Sequence, residues 1–190
     1  MYVCLIRHGE TDWNNLKIIQ GREDIPLNNA GIDQIKETIE YLKNINWKII
    51  ISSPLSRAKK SAEIIKDSIG NIDIIEEFDF IERNYGKISG KTIEETKKIF
   101  PDGIWTGIES NEMLQDRAIN ALKKYINKYN GENIIIVSHG GTINSILSHL
   151  SKNEIGTGKT TLKNACITLL EKIQDNINIV FYDKIASELV

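Results

Sequence analysis

Short apolar runs alternate along this chain with longer segments in which apolar residues recur every third or fourth position. The first run, residues 2–6, carries no charge, as a strand buried on both faces requires. Ala30, Ile32, Ile35, Ile39 and Leu42 follow at helical spacing and predict a helix over about 29–43. Residues 47–51 predict the second strand. Ser52-Ser53-Pro54 then reads as a helix start, a serine cap with a first-turn proline, and Leu55, Ala58, Ala62, Ile65 and Ile69 form the buried face. Residues 72–75 predict a third strand, and this alternation argues for a parallel α/β sheet.

Regularity lapses over 76–90. Thr92 and Glu95 then form a capping box for a short helix that ends before Pro101, followed by a loop over 101–109 with two glycines and Trp105. Leu114, Ala118, Ala121, Leu122, Tyr125 and Tyr129 mark a helix that begins near Ser110 and stops at Asn130-Gly131. Residues 133–137 predict a further strand, with Ile143, Ile146, Leu147 and Leu150 on a helix behind it. Residues 166–170 and 177–182, around Asp175-Asn176, predict an antiparallel hairpin at a sheet edge. With no repeat, low-complexity linker or composition break, one domain over 1–190 is expected.

At 41% hydrophobic and 26% charged residues the composition is that of a globular chain, and a net charge of −2 gives no reason to expect nucleic acid or an anionic membrane as partner. No apolar run approaches the ~20 residues of a membrane span, and the few residues ahead of Arg7 are too short for a signal peptide. Cys4 and Cys166 sit in apolar runs and read as buried free thiols, so a reducing cytoplasm is expected. Only five of the 24 basic residues are arginine: Arg7, Arg22, Arg57, Arg83 and Arg117. Where lysine is the habitual choice, an arginine suggests a use for its planar fork, which matches phosphate oxygens.

Chemistry collects at two strand ends that place histidine before glycine, Ile6-Arg7-His8-Gly9 and Val137-Ser138-His139-Gly140. Ligands of open parallel sheets bind beyond the carboxyl ends of the strands, so both histidines should face one crevice. Arg57, in the first turn of its helix, should join them where free N–H groups favour an anion. This predicts an anion site of Arg7, His8, Arg57 and His139. Cationic neighbours oppose a bound dication, so no metal is expected. The set suits metal-free phosphoryl transfer: the arginines hold phosphate oxygens, His8 attacks, and His139 donates a hydrogen bond or charge. A proton donor is also required, and Glu82 is the candidate.

These residues carry a resemblance. Arg7-His8-Gly9-Glu10-Thr11 with Trp13-Asn14, Gln20-Gly21-Arg22-Glu23-Asp24-Ile25-Pro26-Leu27 with Gly31, Ser52-Ser53-Pro54-Leu55-Ser56-Arg57-Ala58, Glu82-Arg83-Asn84-Tyr85-Gly86 and Val137-Ser138-His139-Gly140-Gly141 resemble, in order, the blocks of the histidine phosphatase superfamily in its phosphoglycerate-mutase-like branch. The resemblance implies a mostly parallel open sheet flanked by helices on both faces. It implies His8 as a phosphohistidine nucleophile, Glu82 as acid and base, and Arg7, Arg57 and His139 as the phosphate pocket. Thr11, Asn14 and Gly140 would assist, with Gln20, Gly21 and Arg83 on the substrate side. It implies no metal and no bound cofactor, 2,3-bisphosphoglycerate being needed as primer only by a mutase.

Several residues invite blander readings. Arg22 and Arg117 are expected at the surface, His149 on the helix after the second histidine is expected to have no part in the site, and Arg83 is as readily an ion-pair partner as a substrate contact. Gly156-Thr157-Gly158-Lys159-Thr160 superficially matches a nucleotide-binding loop, but Asn153 stands where its first glycine belongs and no strand precedes it, so a plain loop is expected. Mutases resembling this chain carry a long arginine-bearing insertion after the glutamate block; here no arginine lies between Arg83 and Arg117. A phosphatase acting on a small phosphorylated metabolite is therefore expected over a mutase, with the oligomeric state left open.

Overall fold

The computed structural model describes residues 1–70, 72–102 and 106–189, which leaves Trp105 and its two preceding residues outside the described set. The elements run β1 (Tyr2–Arg7), α1 (Asp12–Asn15), α2 (Asn29–Leu42), β2 (Trp47–Ser52), α3 (Ser56–Ile69), β3 (Asp73–Glu76), α4 (Ile93–Ile99), α5 (Asn111–Lys128), β4 (Asn133–Ser138), α6 (Gly140–Leu150), β5 (Ile167–Ile173) and β6 (Asn176–Lys184). The six strands lie in the order β3-β2-β4-β1-β5-β6. The first four are mutually parallel, and the β5–β6 hairpin adds antiparallel to β1. The class is α/β, as expected.

Both faces of the sheet are buried because successive side chains of a strand point to opposite sides. Val3 and Leu5 face α5 and α6, joining Ala118, Leu122, Ile143 and Leu147. Cys4 and Ile6 face α2 and α3, joining Ile35, Leu42, Ala58 and Ile65. The continuous apolar character of β1 and β4 is the direct consequence.

Two expectations need correction. Helix α3 begins at Ser56, not at the Ser52-Ser53-Pro54 cap, and Leu55 at its N-cap makes no side-chain bond. The Ser53 hydroxyl is already committed, lying 2.7 Å from the His139 ring and accepting from the Leu55 N–H. The helix is capped instead from a distant loop, since Asp24 Oδ1 accepts from the Ser56 N–H at 2.7 Å. Residues 12–15, to which the sequence pattern assigns no element, form the single turn α1, closed by a capping box between Thr11 and Asn14.

The loop after β1 is pressed against the start of α2. A Cβ on Gly31 would stand 2.1 Å from the Glu10 carbonyl oxygen, and one on Gly9 would stand 2.2 Å from that of Gly31. Only glycine permits this backbone contact. Gly31→Ala should destabilise the protein by roughly 2–3 kcal/mol, read as a lowered denaturation midpoint; an unchanged midpoint would show that the contact is not needed.

Candidate active site

Parallel pairing of β1 with β4 sets Arg7 opposite Ser138, so the chain leaves both strands side by side at their carboxyl ends. His8 and His139 follow, with ring centroids 5.2 Å apart. His8 Nδ1 lies 2.7 Å from the Gly9 carbonyl oxygen. A carbonyl can only accept, so Nδ1 carries the proton and Nε2 keeps a free lone pair. For His139 the polarity is reversed. Ser53 Oγ, fully buried, lies 2.7 Å from Nε2 and, among the described residues, has no other acceptor for its proton, so the hydroxyl donates to Nε2 and the ring proton sits on Nδ1. That Nδ1 is buried without a hydrogen-bond partner.

Arginines complete the floor. Arg57 is 1% exposed; its terminal nitrogens donate to the Gly21 and Glu23 carbonyls at 2.8 and 2.7 Å, while Nε finds no partner. Arg7 donates to the Leu162 carbonyl and likewise keeps a buried, partnerless Nε. Buried donors are almost always satisfied, and partnerless ones call for an explanation. Three of them, on Arg7, Arg57 and His139, belong to one cluster of cationic or proton-bearing groups. An anion is the chemical complement of that set.

Burial, followed by the charges of Arg57 and Arg7, holds the His8 pKa well below the ordinary histidine value. His139 is held down in the same way, with His8 adding to the two arginines. Burial also lowers Arg57, to about 10, which still leaves it charged at neutral pH. Burial first, then the Cys166 and Asp183 charges respectively, pushes the Cys4 and Cys166 thiols up, Cys166 to about 12, so neither is a thiolate nucleophile.

Glu82 lies across the start of α6. Its carboxylate accepts from the backbone N–H groups of Arg83, Gly141 and Thr142 at 2.7, 3.0 and 3.2 Å, two of them free donors of the helix's first turn. A Cβ at Gly141 would stand 2.5 Å from Glu82 Oε1, so a larger residue there would displace the carboxylate from this place.

A pocket of about 390 Å³ opens over this floor, lined by Arg7, His8, Asn14, Gln20, Gly21, Arg57, Glu82 and Gly140 among others. His139 lies fully buried behind His8. Two expected site residues are placed elsewhere. Thr11 is fully buried and its hydroxyl is used within α1, bonding the Asn14 amide group and accepting from its N–H, so it positions Asn14 and does not reach the pocket. Arg83 lines a neighbouring recess, with Nε donating to the Glu109 carbonyl and its guanidinium 5.7 Å from the Tyr85 ring centre.

Sequence reading missed the apolar wall, formed by Ile18, Ile19, Tyr85, Ile93 and Leu162. It also set aside the loop after Gly156. That segment makes no nucleotide cradle, and Lys159 donates to the Asn153 carbonyl, yet Thr160 and Thr161 line the pocket. Arg117, expected at the surface, is 14% exposed and donates to the Asp79, Ile81 and Glu82 carbonyls. Arg22 is half-buried and joins it on Glu82. A scarce arginine in a lysine-rich chain was the available signal. His149 is exposed and lines none of the pocket.

Comparison with known proteins agrees with this geometry. The model of the histidine phosphatase superfamily (branch 1) matches residues 3–184. The chain is 42% identical to an uncharacterized phosphatase, PhoE, of Bacillus subtilis over 95% of this chain and 93% of that one. It is 36% identical to phosphoglycerate mutase-like protein 4 of Arabidopsis thaliana, over 76% of this chain and 68% of that one. A phosphoserine phosphatase mutant from Entamoeba histolytica, solved with phosphoserine, superposes with a TM-score of 0.83 at 28% identity, covering 100% of this chain and 99% of that one. The protein belongs to the histidine phosphatase superfamily.

The depressed histidines have a consequence for stability. In the unfolded chain both imidazoles take up protons near ~6.5, whereas in the folded, ligand-free protein they do not. Acidification through that range therefore favours the unfolded state. The thermal midpoint of the ligand-free protein should fall between about pH 7 and pH 5, and fall less in a His8→Gln, His139→Gln double variant. Parallel midpoint curves for the two proteins would contradict this.

Proposed function

We propose that this chain is a metal-independent phosphomonoesterase that acts on a small phosphorylated metabolite through a phosphohistidine at His8. The observation that carries the reading is the free Nε2 of His8, set beside partnerless donors on Arg7, Arg57 and His139. The two guanidinium groups neutralise the phosphoryl oxygens and the His139 Nδ1–H donates to them, with the Gly140 N–H and the Asn14 amide assisting. Asn14 suits this because Oδ1 already meets Thr11 and Asn164, which leaves its NH2 as the group free to donate. His8 Nε2 attacks phosphorus in line, and the P–N bond forms as the P–O bond to the leaving alcohol breaks. Glu82 in its acid form protonates the departing alkoxide. It then takes a proton from the water that attacks the phosphohistidine, so that inorganic phosphate leaves and both residues are restored.

Hydrolysis is favoured over transfer back to an organic acceptor by what lines the pocket. Among the described residues, Arg7 and Arg57 are its only cations, and its apolar wall is Ile18, Ile19, Tyr85, Ile93 and Leu162. A mutase must hold a carboxylate and a second phosphate while excluding water, and this wall offers neither group a forked partner. The other reading, a phosphoglycerate mutase primed by 2,3-bisphosphoglycerate, rests on likeness to the mutase-like relative. Two buried free thiols fit a reducing compartment, the cytoplasm.

Phosphorus NMR of the protein with 3-phosphoglycerate and a trace of the 2,3-bisphosphate, with O-phosphoserine in parallel, separates the readings. Growth of inorganic phosphate without the 2-isomer, undiminished by chelator, is expected. Rapid equilibration of the two isomers would establish the mutase, and loss of activity with chelator would overturn metal independence.

A further inference from the structure

The segment that carries Glu82 has no regular secondary structure beyond the turn Phe78–Phe80, so its carbonyl groups need partners from outside. Side chains supply all four in succession. Arg117 Nη1 donates to Asp79 and Ile81 at 2.7 Å each, and Ser138 Oγ to Phe80 at 2.8 Å. Thr142 Oγ1 also donates to Ile81, at 2.8 Å. The Glu82 carbonyl receives Arg117 Nη2 at 3.1 Å and Arg22 Nε at 3.3 Å. Arg117 then spends its remaining donors on Glu109, Nε at 2.7 Å and Nη2 at 3.0 Å. All five N–H groups of its guanidinium are thereby used.

Glu109 is the other half of the device. It is 6% exposed, accepts from Arg22 Nη2 and from the Asn84 N–H, and its own carbonyl accepts from Arg83. Burial works against its charge, but the bonds from Arg117 and Asn84 and the pull of Arg117 and Arg22 prevail and hold its pKa below the usual carboxylate value. None of these three side chains lines the pocket. They touch Glu82 only through its backbone.

We propose that Arg117 and Arg22, joined through Glu109, are positioning residues that fix where the Glu82 carboxylate stands over the leaving group, a role that rests on Glu82 being the general acid. Lysine cannot replace Arg117, because one ammonium cannot reach three carbonyls and both carboxylate oxygens at once. None of the three side chains hydrogen-bonds Arg7, His8, Arg57 or His139, so replacing them should leave the affinity for phosphate in place.

The test compares kcat/KM for an alkyl ester, O-phosphoserine, with that for 4-nitrophenyl phosphate, whose leaving group needs little protonation. Inhibition by inorganic phosphate reports on the floor. Arg117→Lys should lower kcat/KM for the alkyl ester by about 10²-fold, the size of a general-acid contribution disturbed by a displacement of ~1 Å. The aryl ester should lose less than about 5-fold, and the phosphate inhibition constant should stay unchanged. Arg22→Met, at a more exposed position that leaves the Arg117–Glu109 pair intact, should show the same selectivity at smaller size and serves if Arg117→Lys does not fold. Glu82→Gln sets the reference. Selective loss in Glu82→Gln but equal loss with both esters in the arginine variants would overturn the positioning role alone. Equal loss in Glu82→Gln itself would remove Glu82 as general acid, and the positioning role with it.

Discussion

Burial of the Arg57 guanidinium is the constraint on which the rest of the site depends. A charge removed from water costs several kcal/mol unless its donors are met. The chain meets two nitrogens with the Gly21 and Glu23 carbonyls and leaves the third, Nε, without a partner. The loop over 20–24 is therefore committed to α3, where Asp24 also caps the first turn. The same loop sends Arg22 the other way, to the Glu82 carbonyl. One short segment thus ties the phosphate floor to the proposed acid, and Arg117 and Glu109 fasten the far side of that tie. With Arg7 adding a second, half-buried guanidinium beside two imidazoles held neutral, the floor is a concentration of positive charge whose complement is an anion.

Much of this was legible in the sequence where strand chemistry decides it. The charge-free run of β1 and its twin in β4 announced buried parallel strands, and a histidine behind each could only emerge at the same sheet edge. The hairpin of β5 and β6 and the capping box of α4 followed from local pattern. The floor of Arg7, His8, Arg57 and His139 was readable for that reason, since each residue sits at a strand end or in a helix's first turn.

What stayed hidden depends on tertiary partners that carry no local signature. Ser52-Ser53-Pro54 has the composition of a cap, yet the hydroxyl of Ser53 turns to His139 and the cap comes from Asp24. Thr11 belongs to the same motif as His8 but serves the turn that places Asn14. Arg117 looked like a solvated helix residue because the three carbonyls it bonds lie 35 or more residues away in sequence. The apolar wall draws Ile18, Tyr85, Ile93 and Leu162 from four separate segments, and no window of sequence contains it.

Rapid acid-free quench of the protein after a brief pulse of ³²P-labelled aryl phosphate, followed by peptide mapping, tests the central claim most directly. A base-stable, acid-labile label on the peptide bearing His8, attached through Nε2 and absent from His8→Ala, is the expected result. Full turnover with no label on any histidine, or label on His139 in its place, would contradict it.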